Sequence, residues 1–273
     1  MSLSVQTNIA AMDAHRNLVG TTNALQQSME RLSSGYRINK AADDAAGLAI
    51  SQKLQAQVGG LAQAQRNAQD AVSLVQTAEG SMSEVQSMLQ RVRDLAVQYN
   101  NGTLSASDKA AITGEVAQLC SEISRIASQT KFNGISLLNG GSGINFQVGA
   151  DDGETITVSA RNLFGGAATF DIDSNVFSFS ASGTVTLASI DTAINNVSSA
   201  RATFGAVQNR LEHTLNNLTN YQENLSASKS QIQDVDMASE MVNFTKLQIL
   251  QSAGTSMLAQ ANQAPQSVLK LLG

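Results

Sequence analysis

Residues 44–99 read DAAGLAISQKLQAQVGGLAQAQRNAQDAVSLVQTAEGSMSEVQSMLQRVRDLAVQY. Small and aliphatic residues recur here at alternating steps of four and three, the spacing of one helix face in a coiled coil. The residues in this register are Leu54, Val58, Leu61, Ala68, Val72, Val75, Met82, Leu89 and Ala96. A helix over residues 44–99 would be about 84 Å long at about 1.5 Å per residue. The pattern therefore predicts a coiled-coil-like helix rather than one helix of a compact globule.

Other parts of the chain also carry helical patterns. The third predicted helix opens with Ser105 and Asp108, a variant of the capping box. The remaining predicted helices cover residues 8–33, a long stretch from about Ser189, and Met237 to about Asn262. Polar residues interrupt the two longest apolar registers at Gln65, Glu79, Gln86, Arg93, Arg201 and Gln208.

The middle of the chain has a different pattern. Residues 144–148 and 155–158 alternate apolar and polar side chains, as strands do, and a turn signal at 151–153 lies between them. The predicted fold class is mainly α: a long coiled-coil-like helical bundle with a small β-hairpin-rich region in the middle of the chain. The predicted divisions are a terminal helical domain built from residues 1–43 and 235–273, and an inner bundle of residues 44–234 that includes a β-rich segment at 135–188.

Composition and motifs exclude several functions. The net charge is −5 and no basic run occurs, which argues against nucleic-acid binding. Residues 247–269 carry no charge, but glutamines such as Gln251 and the proline at 265 argue against a membrane span. His15 and His213 lie in no metal-ligand pattern, and no nucleotide-binding or nucleophile motif occurs. The sequence therefore predicts no enzyme and no cofactor.

Cys120 is the single cysteine of the chain, so it has no internal disulfide partner. Val116 and Ile123 lie one helical turn on either side of it. Those apolar neighbours predict that Cys120 is a core residue rather than a reactive thiol.

Both ends of the chain are apolar and uncharged. No charged residue occurs from Met1 to Met12 or from Leu247 to Leu269. Such ends have little to cover them inside one monomer, which indicates burial between copies in a homopolymer. The residues assigned to this polymerisation surface are Ile9, Met12, Met241, Phe244, Leu258, Leu269, Leu271 and Leu272.

Specific motifs at both ends resemble bacterial flagellin. At the N-terminal end they are NIAA at 8–11, LSSGYRIN at 32–39, AADDAAGLAI at 41–50 and QRVRDLAVQ at 90–98. At the C-terminal end they are ILQSAG at 249–254, LAQANQ at 258–263 and PQSVL at 265–269. The resemblance covers residues 1–135 and 190–273, and the middle matches less closely.

The resemblance implies a structural subunit of the extracellular flagellar filament, in a minimal form that lacks outer variable domains. The paired chain ends would line the filament core, with the inner bundle outside them. The implied partners are further copies, an export chaperone that holds the C-terminal segment, the filament cap and hook-junction proteins, and the flagellar type III export apparatus. The N-terminus lacks the pattern of a Sec signal peptide, which fits that export route.

The resemblance further implies recognition by a host innate immune receptor, the mammalian Toll-like flagellin receptor. The positions carried over are Gln90, Arg91, Leu95, Gln98, Ile112 and Glu115. The family usually has Glu where this chain has Asp94. Independently of the family, Arg91, Leu95 and Gln98 are spaced by four and three residues and share one helix face. A guanidinium beside an apolar anchor is a frequent binding hot spot. The same face also suits packing against the next subunit, in which case only monomer would be recognised.

Two alternatives remain open from the sequence. A hook–filament junction protein shares flagellin-like ends. A surface protein that binds a host ligand or polysaccharide would need a polar, aromatic groove in the middle of the chain, and the absence of Trp offers little for one.

Overall fold

The computed structural model describes residues 8–140, 143–160, 162 and 186–272, with side chains up to residue 263. These residues form α1 (Ile9–Ser34), α2 (Ala45–Tyr99), α3 (Ala106–Gln129), β1 (Lys131–Phe132), β2 (Ile135–Ser136), β3 (Ile144–Gln147), β4 (Thr155–Val158), α4 (Leu187–Gln233) and α5 (Met237–Leu272). The predicted fold class, mainly helical with small hairpins in the middle, is confirmed.

Side-chain caps start the helices where the sequence predicted. Ser105 Oγ accepts a hydrogen bond from the Asp108 amide at 3.2 Å, and Asp108 Oδ2 accepts one from the Ser105 amide at 3.0 Å. This reciprocal box opens α3. Before α2, Asp44 Oδ1 accepts from the Gly47 amide at 2.8 Å, and Asp43 Oδ2 accepts from the amides of residues 39 and 40. Asp44 therefore caps the first turn of α2, whereas Asp43 holds the turn that precedes it.

Two local predictions need correction. The last helix was predicted to end near Asn262, but α5 continues to Leu272. The lone proline at 265 removes only one backbone donor, and the leucine-rich residues after it are good helix formers. The sequence reading also missed the β1–β2 hairpin. Asn133 and Gly134 both have positive φ, at 48° and 81°, as a tight two-residue hairpin turn requires.

The chain divides into two compact units, Met1–Ala56 with Asn224–Gly273, and Gln57–Glu223. We call them the terminal unit and the bundle unit. The domain bounds that the sequence suggested, after residues 43 and 234, stay a prediction.

The bundle unit is built around α2, which buries two neighbouring stripes. The predicted register is confirmed from Leu61 onward, since all of Leu61, Ala68, Val75, Met82, Leu89 and Ala96 are buried. A second stripe, which the sequence reading missed, consists of Ala64, Ala71, Ala78, Val85, Val92 and Tyr99. One helix needs two buried stripes because residues of both α3 and α4 share its core.

The β3–β4 hairpin covers one part of this core. Its antiparallel register pairs Ile144 with Val158 and Phe146 with Ile156. Ile156 and Val158 are buried and join the same apolar cluster as α2, α3 and α4. The hairpin therefore supplies core side chains to the bundle unit and is not an appendage.

Candidate interaction surfaces

The terminal unit contains an antiparallel pair of helices, α1 and α5. Near one end of the pair, Asn8 Nδ2 donates to the Ala261 carbonyl at 2.8 Å. Near the other end, the Arg31 guanidinium lies 3.9 Å from the Glu240 carboxylate. Gly254 permits close packing between these points, since a Cβ there would lie 3.2 Å from Leu18 Cδ1. The two chain ends are thereby held side by side.

Backbone bonds between the two linkers support this pairing. The Arg37 amide donates to the Gln233 carbonyl at 2.7 Å, and the Val235 amide donates to the Gly35 carbonyl at 3.0 Å. The Arg37 guanidinium also donates to the Ile232 carbonyl at 2.6 Å, so it satisfies an orphan carbonyl in the last turn of α4. Gly35 has a φ of 76°, a left-handed conformation that glycine adopts without strain.

The predicted polymerisation residues are partly exposed on this helix pair. Ile9 and Met12 are each 66 % exposed and Met241 is 50 % exposed. Phe244 and Leu258 are half-buried. The side chains of Leu269, Leu271 and Leu272 lie outside the described residues. The terminal unit thus displays large apolar side chains that its own fold leaves uncovered.

The exposed apolar surface is wider than the sequence reading suggested. Further exposed members on α1 and α5 are Val19, Met29, Val242, Ile249, Leu250 and Met257. The seven-residue spacing of Val242 and Ile249, with Met257 eight residues further on, was a signal in the sequence. Several faces of α5 carry apolar residues, and this is typical of a helix covered by neighbours on more than one side.

The predicted receptor positions all belong to the bundle unit, but they do not form one surface. Gln90, Arg91, Gln98 and Glu115 are exposed. Leu95 is only 2 % exposed and Ile112 only 7 %, because both lie in the core cluster shared by α2 and α3. The expectation that Leu95 stands beside Arg91 as a surface anchor is therefore wrong.

An ion pair joins the two helices at this surface. Arg91 Nε and Nη2 both donate to Glu115 Oε1, at 2.8 and 2.7 Å, which fixes the guanidinium across the α2–α3 seam. Val97, which the sequence reading did not assign, is 51 % exposed and supplies an apolar side chain on α2 near Gln98. Its place seven residues after Gln90 was the available signal.

An open groove of about 720 Å³ lies between the β3–β4 hairpin and α4. Its polar rim includes Glu154, Arg210 and His213, and Tyr221 is the aromatic residue among its lining side chains. This groove is the feature that a surface ligand-binding protein would use.

Within the described residues, no group of His, Cys, Asp and Glu side chains is arranged to hold a metal ion. A search of the same residues finds no helix both long enough and apolar enough to span a membrane. The fold therefore defines a class: a mainly helical protein whose paired α1 and α5 helices carry exposed apolar side chains.

Comparison with known proteins identifies the family. Residues 5–143 match the bacterial flagellin N-terminal helical region, and residues 187–272 match the bacterial flagellin C-terminal helical region. The chain is 49 % identical to a flagellin of Halalkalibacterium halodurans, over 98 % of this chain and 99 % of that protein. It is 43 % identical to the flagellar filament 33 kDa core protein of Treponema phagedenis, over 98 % and 99 %. A crystal structure of Bacillus cereus flagellin covers 60 % of this chain and 94 % of its own, at 35 % identity and a TM-score of 0.49.

The chain belongs to the bacterial flagellin family. Flagellins are structural proteins, so this chain is a subunit of the extracellular flagellar filament that serves motility. The comparisons favour this assignment over a hook–filament junction protein and over a surface ligand-binding protein.

Proposed function

We propose that the chain polymerises through the exposed apolar faces of α1 and α5 and has no catalytic role. The observation that carries the proposal is the set of large aliphatic side chains on the terminal unit, of which Ile9, Met12 and Met241 are at least half exposed. Covering one such side chain contributes about 1.5–3 kcal/mol. An exposed ion pair contributes about 0–1 kcal/mol. Apolar burial therefore dominates the contact between copies.

A substitution at Met241 tests this surface. Met241→Glu adds a charge at a position exposed in the monomer, so the monomer should keep its helix content and its melting temperature. The same charge would be buried without a partner in the polymer, and filament growth should be lost. Circular dichroism of the monomer and electron microscopy after seeding measure the two effects.

Met241→Leu is the matched control, because it keeps an apolar side chain of similar volume and should assemble normally. Filaments of normal length from Met241→Glu would show that this face is not buried between copies.

We further propose that the same surface needs a partner before assembly. Exposed apolar helices tend to aggregate, and a chaperone covering α5 would prevent that until the chain leaves through the flagellar type III export apparatus. Filament cap and hook-junction proteins would present equivalent apolar helices at the two ends of the polymer. Binding of an export chaperone to the full chain, and its loss when residues 235–273 are removed, would test the first of these contacts.

We also propose that a host innate immune receptor recognises the exposed part of the α2–α3 surface. The residues that support this are Gln90, Arg91, Gln98 and Glu115, together with Val97. Leu95 and Ile112 contribute indirectly, by packing the two helices in the cluster beneath. The Arg91–Glu115 pair holds the guanidinium in place, which lowers the entropy that binding would otherwise cost.

Arg91→Ala tests the receptor proposal. The substitution should weaken binding of monomer to the receptor by about 1–2 kcal/mol, in the range of a truncated hot spot. It should leave the melting temperature nearly unchanged, since an exposed pair contributes little. Arg66→Ala, which removes an exposed arginine elsewhere on α2, is the control. Receptor signalling by the Arg91→Ala monomer at the wild-type level, or strong signalling by cross-linked filaments, would reject this placement.

A further inference from the structure

Polar residues that interrupt the apolar register of α2 bond to polar residues of α4 across the seam of these two helices. Arg93 Nε donates to Asp191 Oδ1 at 2.6 Å, and Gln86 Nε2 donates to Ser198 Oγ at 3.4 Å. At the far end, Gln65 Nε2 donates to Thr219 Oγ1 at 3.4 Å. The α2 residue number falls as the α4 number rises, so these contacts form a ladder along an antiparallel pair of helices.

Arg201 is the centre of this ladder. Its Nη1 donates to Gln86 Oε1 at 2.6 Å and its Nη2 donates to Glu79 Oε1 at 2.8 Å. The side chains of Arg201 and Glu79 are only 32 % and 39 % exposed. The Nε of Arg201 is buried without a hydrogen-bond partner in the described structure. One guanidinium thus bridges two α2 residues that lie two turns apart, and any sliding of α4 would break at least one of the two bonds.

The apolar residues of the same seam do little to distinguish one alignment of α4 against α2 from another. Both helices present buried alanines at seven-residue spacing, such as Ala71 and Ala78 on α2 and Ala193 and Ala200 on α4. If α4 slid by seven residues, apolar side chains would still meet apolar side chains. Among repeated heptads, polar positions are what distinguish one alignment from the next.

We propose that the Glu79–Gln86–Arg201 cluster, helped by Arg93–Asp191, fixes the register of α4 against α2. A slide of seven residues in one direction carries Arg201 away from Glu79 and brings it beside Arg93, where two guanidinium groups repel. A slide in the other direction keeps Glu79 but parts Arg201 from Gln86 and leaves Arg93 without Asp191. The native alignment is the one in which the Arg201–Glu79, Arg201–Gln86 and Arg93–Asp191 contacts form together.

Disulfide trapping in the full-length chain tests the proposal. In a Cys120→Ser background, the pair Gln65→Cys and Thr219→Cys reports the native register. The pair Val72→Cys and Thr219→Cys reports the register displaced by seven residues toward Arg93. With the ladder intact, the first pair should cross-link readily under mild oxidation and the second should not.

Arg201→Glu should reverse this result. The new carboxylate is repelled by Glu79 in the native register and attracted by Arg93 in the displaced one. We expect the native cross-link to form at least tenfold more slowly and the displaced cross-link to appear. Arg210→Glu makes the same charge change at an exposed site on α4 outside the ladder, and it should leave both rates unchanged.

A second variant covers the case in which Arg201→Glu fails to fold. The exchange of Glu79→Arg with Arg201→Glu restores an ion pair in the native register. The side-chain amide of Gln86 can bond to either residue at position 201, because its oxygen accepts a hydrogen bond from a guanidinium and its nitrogen donates one to a carboxylate. This variant should recover the native cross-link to within twofold and its helical circular dichroism. An unaltered native cross-link in Arg201→Glu, or no recovery in the exchanged variant, would overturn the proposal.

Discussion

Cys120 illustrates what a single residue reveals in this chain. Its two apolar neighbours on the helix predicted a core position, and the side chain is half-buried beside the cluster that joins α2 and α3. Burial disfavours the charged thiolate and raises the pKa of the thiol to about 11. The residue therefore behaves as a small apolar side chain at neutral pH.

This pKa makes Cys120 slow to react. At pH 8 a thiol with a pKa of about 11 carries far less thiolate than an ordinary cysteine with a pKa of about 8.5. Iodoacetamide should therefore label the native chain roughly 100-fold more slowly than a free cysteine. The rate should climb as the pH rises toward the raised pKa. The same chain in guanidinium chloride serves as the control and should react at the ordinary rate; equal rates with and without denaturant would contradict the burial.

Arg91 and Leu95 mark the limit of inference at this scale. Spacing placed them on one face of α2, and they are neighbours on it. Yet Arg91 is exposed and paired with Glu115, while Leu95 is buried against α3. Sequence spacing gives the angle between two side chains around the helix axis. Which of the two side chains faces solvent depends on where the neighbouring helix packs.

The element scale is best seen in α3. Its large apolar residues recur at steps of four and three from Ile112 to Ile126, and of these Ile112, Val116 and Ile123 are buried. Leu119 and Ile126 are half-buried, and Ala127 lies in the core instead. The buried face is therefore rotated slightly from the one that the largest side chains suggested.

Three aspartate substitutions should separate these positions. Val116→Asp places an unpaired charge in the core and should cost several kcal/mol of unfolding free energy. Leu119→Asp should cost less, since a half-buried carboxylate reaches water. Gln118→Asp lies on the exposed face and should change stability by no more than about 0.5 kcal/mol. Urea unfolding of the monomer measures all three, and equal effects at positions 116 and 118 would mean that the assigned face is wrong.

In the molecule as a whole, the large buried clusters and most of the exposed large apolar side chains lie in different units. The two apolar clusters of the bundle unit consist of residues between Ala68 and Leu211 and include none from α1 or α5. The terminal unit instead exposes its large apolar residues. We therefore expect the bundle unit to be folded in the monomer before assembly.

Removal of residues 235–273 tests this division. The truncated chain should stay soluble and retain a cooperative thermal transition, because every residue of the bundle core remains. It should form no filaments, since α1 loses its partner helix and most of the exposed apolar surface is gone. Circular dichroism and electron microscopy give the two readouts. Filaments of normal appearance from the truncated chain would show that α5 is dispensable for assembly.

The existence of the five helices, the capping box of α3, the β3–β4 hairpin and the family were all predicted from the sequence. The helices, the capping box and the hairpin depend on short-range physics: side-chain periodicity, a capping hydroxyl or carboxylate, and alternation along a strand. The family was indicated by the resemblance of motifs at both ends of the chain. The Ser105–Asp108 box and the motifs at 32–39 and 41–50 were readable without any knowledge of the neighbours. Residue type was sufficient for the capping box because its two residues lie within one helical turn.

Which faces of these helices pack against each other is known only from the tertiary structure. The second buried stripe of α2, the burial of Leu95 and the pairing of Arg201 with Glu79 and Gln86 each depend on a residue distant in sequence. The polar residues at these positions are visible in the sequence as interruptions of an apolar register. Their role in hydrogen bonds and ion pairs becomes visible only when the residue opposite each of them is known. Burial and charge pairing are properties of two surfaces in contact. The sequence of one helix describes only one of those two surfaces, so it cannot show which residues the other surface covers.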